Sequence, residues 1–362
     1  MAIRPGRRRR WVSAAVLAVA AAGLSGPPVA GLAPALAAAE GIDRLPGWSL
    51  QGRLDDWLRA WQRSCERRPW QGQTLADGEI WRSVCKAAAK RQSIDAAWIA
   101  RHFRVAGTAD RALVTGYFEP SLRASATRSA VFATPLHRPP SQPALARLPR
   151  AAIDGGALAG RGLELAWLAD PVAAFFLHIQ GSGRLRFPDG RVARIGYAGN
   201  NGHAYRAIGR DLVEAGAIAR EAVSMQSIAS WLRGHPAEAA AMMQRNPRYI
   251  YFRWLETDGP VGAQGAVLTP RRSLAVDPVH IPYGLPVWLD VEHPDPAAGR
   301  LQHLTVAQDT GSAIKGPARA DYFWGAGARA ADLAGRMQSQ GRLYILLPRE
   351  AVSPLPRRRP PH

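Results

Sequence analysis

The chain has 362 residues, with 47 Lys+Arg against 28 Asp+Glu and a formal net charge of +19. A hydrophobic content of 47% supports a packed core and excludes intrinsic disorder, and two cysteines exclude a disulfide-dense scaffold or a four-thiolate zinc module. Beyond the extreme N-terminus there is no run of about 18–20 apolar residues, which excludes a polytopic membrane protein and leaves a basic chain of about two domains.

Residues 1–39 read as a secretory signal: Arg4 and Arg7–Arg10 form a positive n-region, Trp11–Leu24 an apolar stretch too short for a stable span, and small residues follow. Cleavage is expected after Ala35-Leu36-Ala37, with Pro28-Val29-Ala30 as the rival site. An uncleaved anchor helix and a twin-Arg signal are the alternatives. No cysteine precedes Cys65, so lipid anchoring is not expected and the periplasm is. Without this segment the charge is +14, since it holds five arginines and no acid. Outside the cytoplasm that excess suits cell-wall polymer or anionic lipid more than nucleic acid. In an exported chain Cys65 and Cys85 are expected to pair, closing a loop worth about 3 kcal/mol; two buried thiols are the alternative.

From Ser49 to Phe103 the pattern is helical. Leu50, Leu54, Trp57, Leu58 and Trp61 recur at three- and four-residue steps behind a Ser49 cap, and Ile80, Val84, Cys85 and Ala88 repeat the pattern, placing one cysteine on each of two helices. After Ala112 short apolar runs broken by Gly and Pro have the look of small barrels: 113–118, 173–180, 249–254, 285–291, 304–308 and 343–347. Helices are expected at 205–214, 224–233, 236–245 and 329–340, the last stopped by Gly341. The Pro-rich stretch Thr134–Pro143 reads as a linker and the tail from Pro354 as disordered; there is no internal repeat.

Nine histidines are scattered singly without metal-ligand spacing, no G-x-S-x-G occurs, and Gly181-Ser182-Gly183 lacks the continuation a phosphate loop needs. The informative segment is Asp309-Thr310-Gly311-Ser312 at the end of an apolar strand. Aspartic proteases carry that tetrapeptide, but two such carboxylates must share one proton and only one copy is present here.

Its surroundings are more specific. Asp309–Gly316 leads to Arg319-Ala320-Asp321-Tyr322, and Ser273–Pro278 and Ile281–Gly284 lie upstream. This resembles the three-aspartate (3D) domain of the membrane-bound lytic murein transglycosylase A family. Thr115-Gly116-Tyr117-Phe118-Glu119-Pro120, Thr134-Pro135, Phe175–Arg184, Gly196–His203, Met225–Ile228 and Asn246–Tyr249 are similar to that family's blocks, in order over about residues 110–347.

The resemblance implies a mainly β fold with α: a double-psi β-barrel formed by both chain ends, 40–137 and 257–350, with N-terminal helices, an inserted second β-barrel at 138–256, and a basic tail at 351–362. It implies a polysaccharide lyase that cleaves the β-1,4 bond between N-acetylmuramic acid and N-acetylglucosamine and leaves a 1,6-anhydromuramoyl end. Asp321 corresponds to the catalytic acid, and Asp309 and Asp277 to its companions. Tyr117, Glu119, Thr134, Gln180, Gly181, Ser182 and Lys315 are the expected substrate-binding residues. The expected partner is the glycan strand, with no nucleic acid, no cofactor and no metal; peripheral outer-membrane or wall-enzyme association stays open, and a monomer is expected. The chemistry can also be argued from the residues. A hydrolase needs two carboxylates, whereas an intramolecular transglycosylase can use one, because the sugar's own C6 hydroxyl is the nucleophile. Partial burial beside Asp309 would keep Asp321 protonated near neutrality. Each acid has a plain alternative: Asp277 and Asp309 as acceptors of backbone N–H bonds, Asp321 as a loop acid, Glu119 as a turn cap. A wall-binding protein without catalysis and a water-using muramidase remain the other functional readings.

Overall fold

The computed structural model describes residues 41–50, 52–69 and 77–349. The expected signal segment, its expected cleavage sites and the basic tail lie outside the described residues. Helices α1 (Asp55–Glu66), α2 (Gly78–Ala89) and α3 (Ala96–His102) precede the strands. The expected Ser49 cap does not start α1: Trp48–Leu50 form a separate 3-10 turn, and the helix begins six residues later at Asp55. Cys65 and Cys85 form the expected disulfide between α1 and α2. Trp57, Trp61 and Trp81 stack in series with centroids 5.4 and 5.6 Å apart, and Phe103 meets the first two edge-on.

The strands, in chain order, are β1 (Phe103–Glu119), β2 (Ser121–Ser125), β3 (Thr134–His137), β4 (Glu164–Leu168), β5 (Ser182–Arg186), β6 (Val192–Asn200), β7 (Ile250–Leu255), β8 (Ser273–Val276), β9 (Pro286–Glu292), β10 (Arg300–Asp309), β11 (Arg319–Ala326) and β12 (Gln338–Pro348). The remaining helices are α4 (Pro143–Ala146), α5 (Arg150–Asp154), α6 (Pro171–Gln180), α7 (Ile208–Glu214), α8 (Met225–Gly234), α9 (Pro236–Gln244) and α10 (Ala328–Arg336). Six strands close a barrel in the order β1-β11-β8-β10-β9-β12, with β1/β11 and β8/β10 parallel. Both ends of the chain build it, around a core that includes Val114, Leu274, Val306, Ala320 and Leu343.

The other six strands form a second sheet in the order β3-β4-β2-β5-β6-β7. Its hydrogen-bond ladder stays open where a second barrel is expected, and its two edges are joined by a bond between His137 Nδ1 and the Tyr249 hydroxyl at 2.8 Å. The chain enters this sheet at Ser121, well before the insert boundary expected at 138. The stretch read as a linker begins with β3: Pro135 lacks an N–H, which an edge strand tolerates.

Two further expectations are corrected. Residues 173–180, read as a strand, belong to α6; a short, wholly apolar run has no period to separate strand from buried helix. Its ends carry the deciding signals. The Asp170 carboxylate accepts the N–H groups of Val172 and Ala173 at 2.8 and 3.1 Å, Pro171 occupies the first turn, and Gly181 closes the helix with φ 75°. The helix expected over 329–340 ends at Arg336, and Gly341 lies within β12. There it allows close approach, because a Cβ would stand 2.2 Å from the Asp290 carbonyl oxygen.

Candidate active site

Strand β8 runs between β10 and β11, and Ala275 is in register with Asp309 on one side and Asp321 on the other. Strand β1 extends the row by placing Thr115 beside Asp321. Thr115, Asp321, Ala275 and Asp309 therefore share one face across four neighbouring strands, the two acids separated by two strand spacings of about 4.8 Å each. Ala275, with only a methyl side chain, occupies the register position between the two acids. Two residues along the same strands, Tyr117 and Phe323 pack against Ala275 and Leu268. Val114, Ala320 and Leu274, which alternate with the row, enter the barrel core.

Asp321 is completely buried, more than the partial burial expected. Its Oδ1 accepts a hydrogen bond from Thr115 Oγ1 at 2.9 Å, and its Oδ2 has no partner among the described residues. The threonine oxygen is itself held by Arg319 Nη2, which donates to it at 2.8 Å. Burial pushes the Asp321 carboxyl up to about 7; the Arg319 charge and the Thr115 hydroxyl oppose this, and the Asp309 charge adds to it. Burial also raises Asp309, to about 6, against the amides of Thr310 and Ala263, the latter donating at 2.9 Å. The Tyr117 phenol is pushed well above its ordinary range by burial and then by the charges of Asp309 and Asp321.

The third aspartate lies beside the row. Asp277 follows β8, and its two oxygens accept the N–H groups of Val279 at 3.2 Å and Gly316 at 2.9 Å, pinning two loops together. Lys315, next to Gly316, is exposed. Glu119, at the end of β1, is buried between Arg194 at 3.2 Å and Arg184 at 3.4 Å, so its carboxylate joins the barrel to β5 and β6.

A narrow cleft lies between the barrel and the second sheet's helices α6 and α8, lined by Thr115, Phe118, Gln180, Met225, Met337 and Gln338 among others. Gln180, the last residue of α6, reaches across it: its Oε1 accepts the Phe118 N–H at 3.4 Å. Gly181 and Ser182 follow directly, Ser182 opening β5. Thr134 is not brought to this cleft. It lines a different cavity with His137, Arg150, Phe175, His178 and Tyr249.

The sequence reading singled out Asp321 and Tyr117 but not Thr115, Arg319 or Ala275 as site residues. A signal was available in the period of two, since Arg319 lies two before Asp321 and Thr115 two before Tyr117 on strands. Ala275 has no signal of its own; its importance comes from register.

The description "MltA specific insert domain" fits residues 113–253, and the 3D domain fits residues 272–347. Membrane-bound lytic murein transglycosylase A of Escherichia coli (strain K12) is 37% identical over 240 residues, which are 64% of this chain and 64% of that protein. The structure of the lytic transglycosylase LtgG of Burkholderia pseudomallei is 38% identical, covers 86% of this chain and 95% of that chain, and superposes with a TM-score of 0.60. The chain belongs to the membrane-bound lytic murein transglycosylase A family. The match spans just under two thirds of the length of the curated E. coli relative. Within the family, E. coli MltA with bound chitohexaose is 28% identical at a TM-score of 0.70, over 83% of this chain and 92% of that one.

Proposed function

We propose that this chain is a lytic transglycosylase of peptidoglycan that cleaves the β-1,4 bond between N-acetylmuramic acid and N-acetylglucosamine with Asp321 as acid and then base. The observation that carries this is a buried carboxyl held at about 7 behind the cleft wall, with one oxygen fixed by Thr115 and the other unpartnered. Near neutrality about half of such groups are protonated, which suits a donor to the glycosidic oxygen. As that C–O bond breaks, the C6 hydroxyl of the muramic acid attacks C1 and gives its proton to the Asp321 carboxylate. The acid is thus restored, no water is consumed, and a 1,6-anhydro ring remains. Holding the hydroxyl on the reacting sugar replaces a second catalytic residue. Bound chitohexaose in the E. coli relative supports a glycan in the cleft.

In this reading burial, Arg319 and Thr115 set the charge state of Asp321, with the Asp309 charge adding to it, and Asp277 holds the loop that carries Lys315. Gln180, Gly181, Ser182 and Lys315 contact sugar, while Glu119 positions the wall through its two arginines. Thr134 is left to a more distant contact. Export by residues 1–39 would place the enzyme in the cell envelope, and among the described residues no helix is long and apolar enough to cross a membrane.

A second reading is hydrolysis, with Asp309 activating water, because a second buried carboxyl stands two strands away from Asp321 and a hydrolase needs a pair of carboxylates. Digestion of purified sacculi followed by mass analysis separates the two. Anhydro-muropeptides support transglycosylation and reducing ends support hydrolysis; absence of soluble product leaves only a wall-binding protein. Asp321→Asn should abolish turnover and retain glycan binding, and a fully active variant would overturn the assignment.

A further inference from the structure

The second sheet carries a feature that glycan cleavage does not use. Strands β2 and β5 lie parallel and run outward from the cleft, from Ser121 and Ser182 to Ser125 and Arg186. Their inner residues Leu122 and Leu185 are core, so the alternate residues point to solvent. At the far end Arg123 is in register with Arg186, and Arg186 with Val192. The connection from β2 to β3 adds Arg128 and Val131. Val131 and Val192 are 57% and 54% exposed. The Arg123 guanidinium sits 5.8 Å from the Phe132 ring centroid and that of Arg128 5.8 Å from Trp167, which pairs with Ser125 across β2 and β4. Among the described residues none of these three arginines has a carboxylate partner; Asp189, in the turn between β5 and β6, is turned to Arg191 at 3.8 Å.

We propose that this arginine–valine patch at the outer end of the second sheet docks the protein on an anionic phospholipid bilayer. The charge is complementary, on a chain that carries +14 once the expected signal segment is removed. The exposed valines decide between a lipid surface and a soluble polyanion. A polyanion would be held by the guanidiniums alone and leave Val131 and Val192 in water, whereas a bilayer interface takes up apolar tips and ring-backed cations together. Because β2 and β5 lead away from Thr115 and Gln180, the bound protein keeps its cleft free for a glycan strand.

The test is co-sedimentation of the full chain with phosphatidylglycerol/phosphatidylcholine vesicles, with pure phosphatidylcholine vesicles and insoluble sacculi in parallel. Binding to the anionic but not to the neutral vesicles, lost at 1 M salt as screening shortens to about 3 Å, is the expected result. The triple variant Arg123→Gln, Arg128→Gln, Arg186→Gln should lower the vesicle partition coefficient on the order of 100-fold, about fivefold per arginine, with sacculus digestion unchanged. Val131→Ser with Val192→Ser should weaken vesicle binding and leave sacculus binding unaltered. Equal binding to neutral and anionic vesicles, or undiminished vesicle binding by the triple variant, would overturn the proposal. Loss of sacculus binding instead would assign the patch to a wall polyanion and equally overturn it. The digestion readout in each variant separates failure of docking from failure of the enzymatic reading.

Discussion

Thr115→Val tests how the acidity of Asp321 is set. Valine keeps the size and branching of threonine on β1 and removes the hydroxyl that donates to Asp321 Oδ1 at 2.9 Å. Arg319 occupies the acceptor side of that hydroxyl, so the hydroxyl hydrogen is directed at the carboxylate and favours its ionised form. A hydrogen bond to a charged group contributes about 1.5–3 kcal/mol, and one pH unit corresponds to about 1.36 kcal/mol, so its loss should raise the carboxyl by about 1–2 units. Starting from about 7, the variant acid would titrate near 8–9. The assay is the initial rate of sacculus solubilisation at low substrate from pH 5 to 10, which reports the free enzyme. The wild-type rate should fall through pH 7, because the step needs the protonated acid. The variant should be slower on its plateau, by several-fold for a weaker acid, yet faster than wild type at pH 9, where about 1% of the wild-type acid remains protonated. The two profiles should cross. An alkaline limb that stays at the wild-type position, or moves to lower pH, would refute the assignment of both the donor and the acid.

Three other outcomes follow from the same geometry. Ala275→Leu fills the gap between the two carboxyls and should remove activity at a stability cost of about 1–3 kcal/mol for overpacking; full turnover by a folded variant would show that the row is not the reacting surface. Asp321→Asn should stabilise the fold at alkaline pH. A carboxyl raised from 3.8 to about 7 contributes stability below its unfolded value and loses it as pH rises through 7, a swing on the order of 4 kcal/mol. The amide does not titrate, so the variant's Tm advantage should be larger at pH 8.5 than at pH 5, and an equal advantage at both would count against a buried neutral acid. Cys65→Ser removes a bridge between residues 20 apart and should cost about 3 kcal/mol by loop entropy, read as a lower Tm that reductant reproduces in the wild type but does not deepen in the variant.

Much of the barrel was legible because its strands contain short apolar runs ended by Gly, Pro or charge, as in Leu304–Gln308 before Asp309 and Leu343–Leu347. The helices α1 and α2 were legible from apolar spacing, and the pairing of their cysteines from the expectation of export. What failed did so where local pattern and tertiary contact part company. The run 173–180 is apolar at every turn because α6 is buried nearly all round, which erases the period that would mark a helix. Gly341 has the look of a helix stop, yet it is a glycine because β9 passes too close for a side chain. Thr134-Pro135 looks like a linker but forms a sheet edge, the one place in a sheet where proline costs no ladder bond. The site was half legible. Asp309 and Asp321 stand in recognisable motifs, but their opposition across Ala275 depends on the register of three strands, with a bulge between Ala307 and Asp309 that no spacing in the sequence reveals.

Two buried carboxyls raised toward neutrality are a standing cost, and the packing behind them explains how the fold sustains it. Strand β10, which ends in Asp309, is buttressed by α1: Trp57 Nε1 donates to the Thr305 carbonyl at 3.1 Å, and Gln308 Nε2 donates to the Ala60 carbonyl at 2.9 Å. Gln308 also accepts from Ser273 Oγ at 2.6 Å, fixing β10 against β8 one residue before the acid. Helix α1 is in turn held by the disulfide and by the tryptophan stack, whose rings are fully buried. The N-terminal helices are therefore the rear wall of the site. Apolar burial on the far side of the barrel offsets the desolvation of the acids on the near side, and a row that would otherwise relax or admit water keeps the low-polarity surroundings that make Asp321 a proton donor at neutral pH. The same coupling explains why the acid can sit on a regular strand: its precision comes from strand register and a packed rear layer, with no mobile loop needed to deliver it.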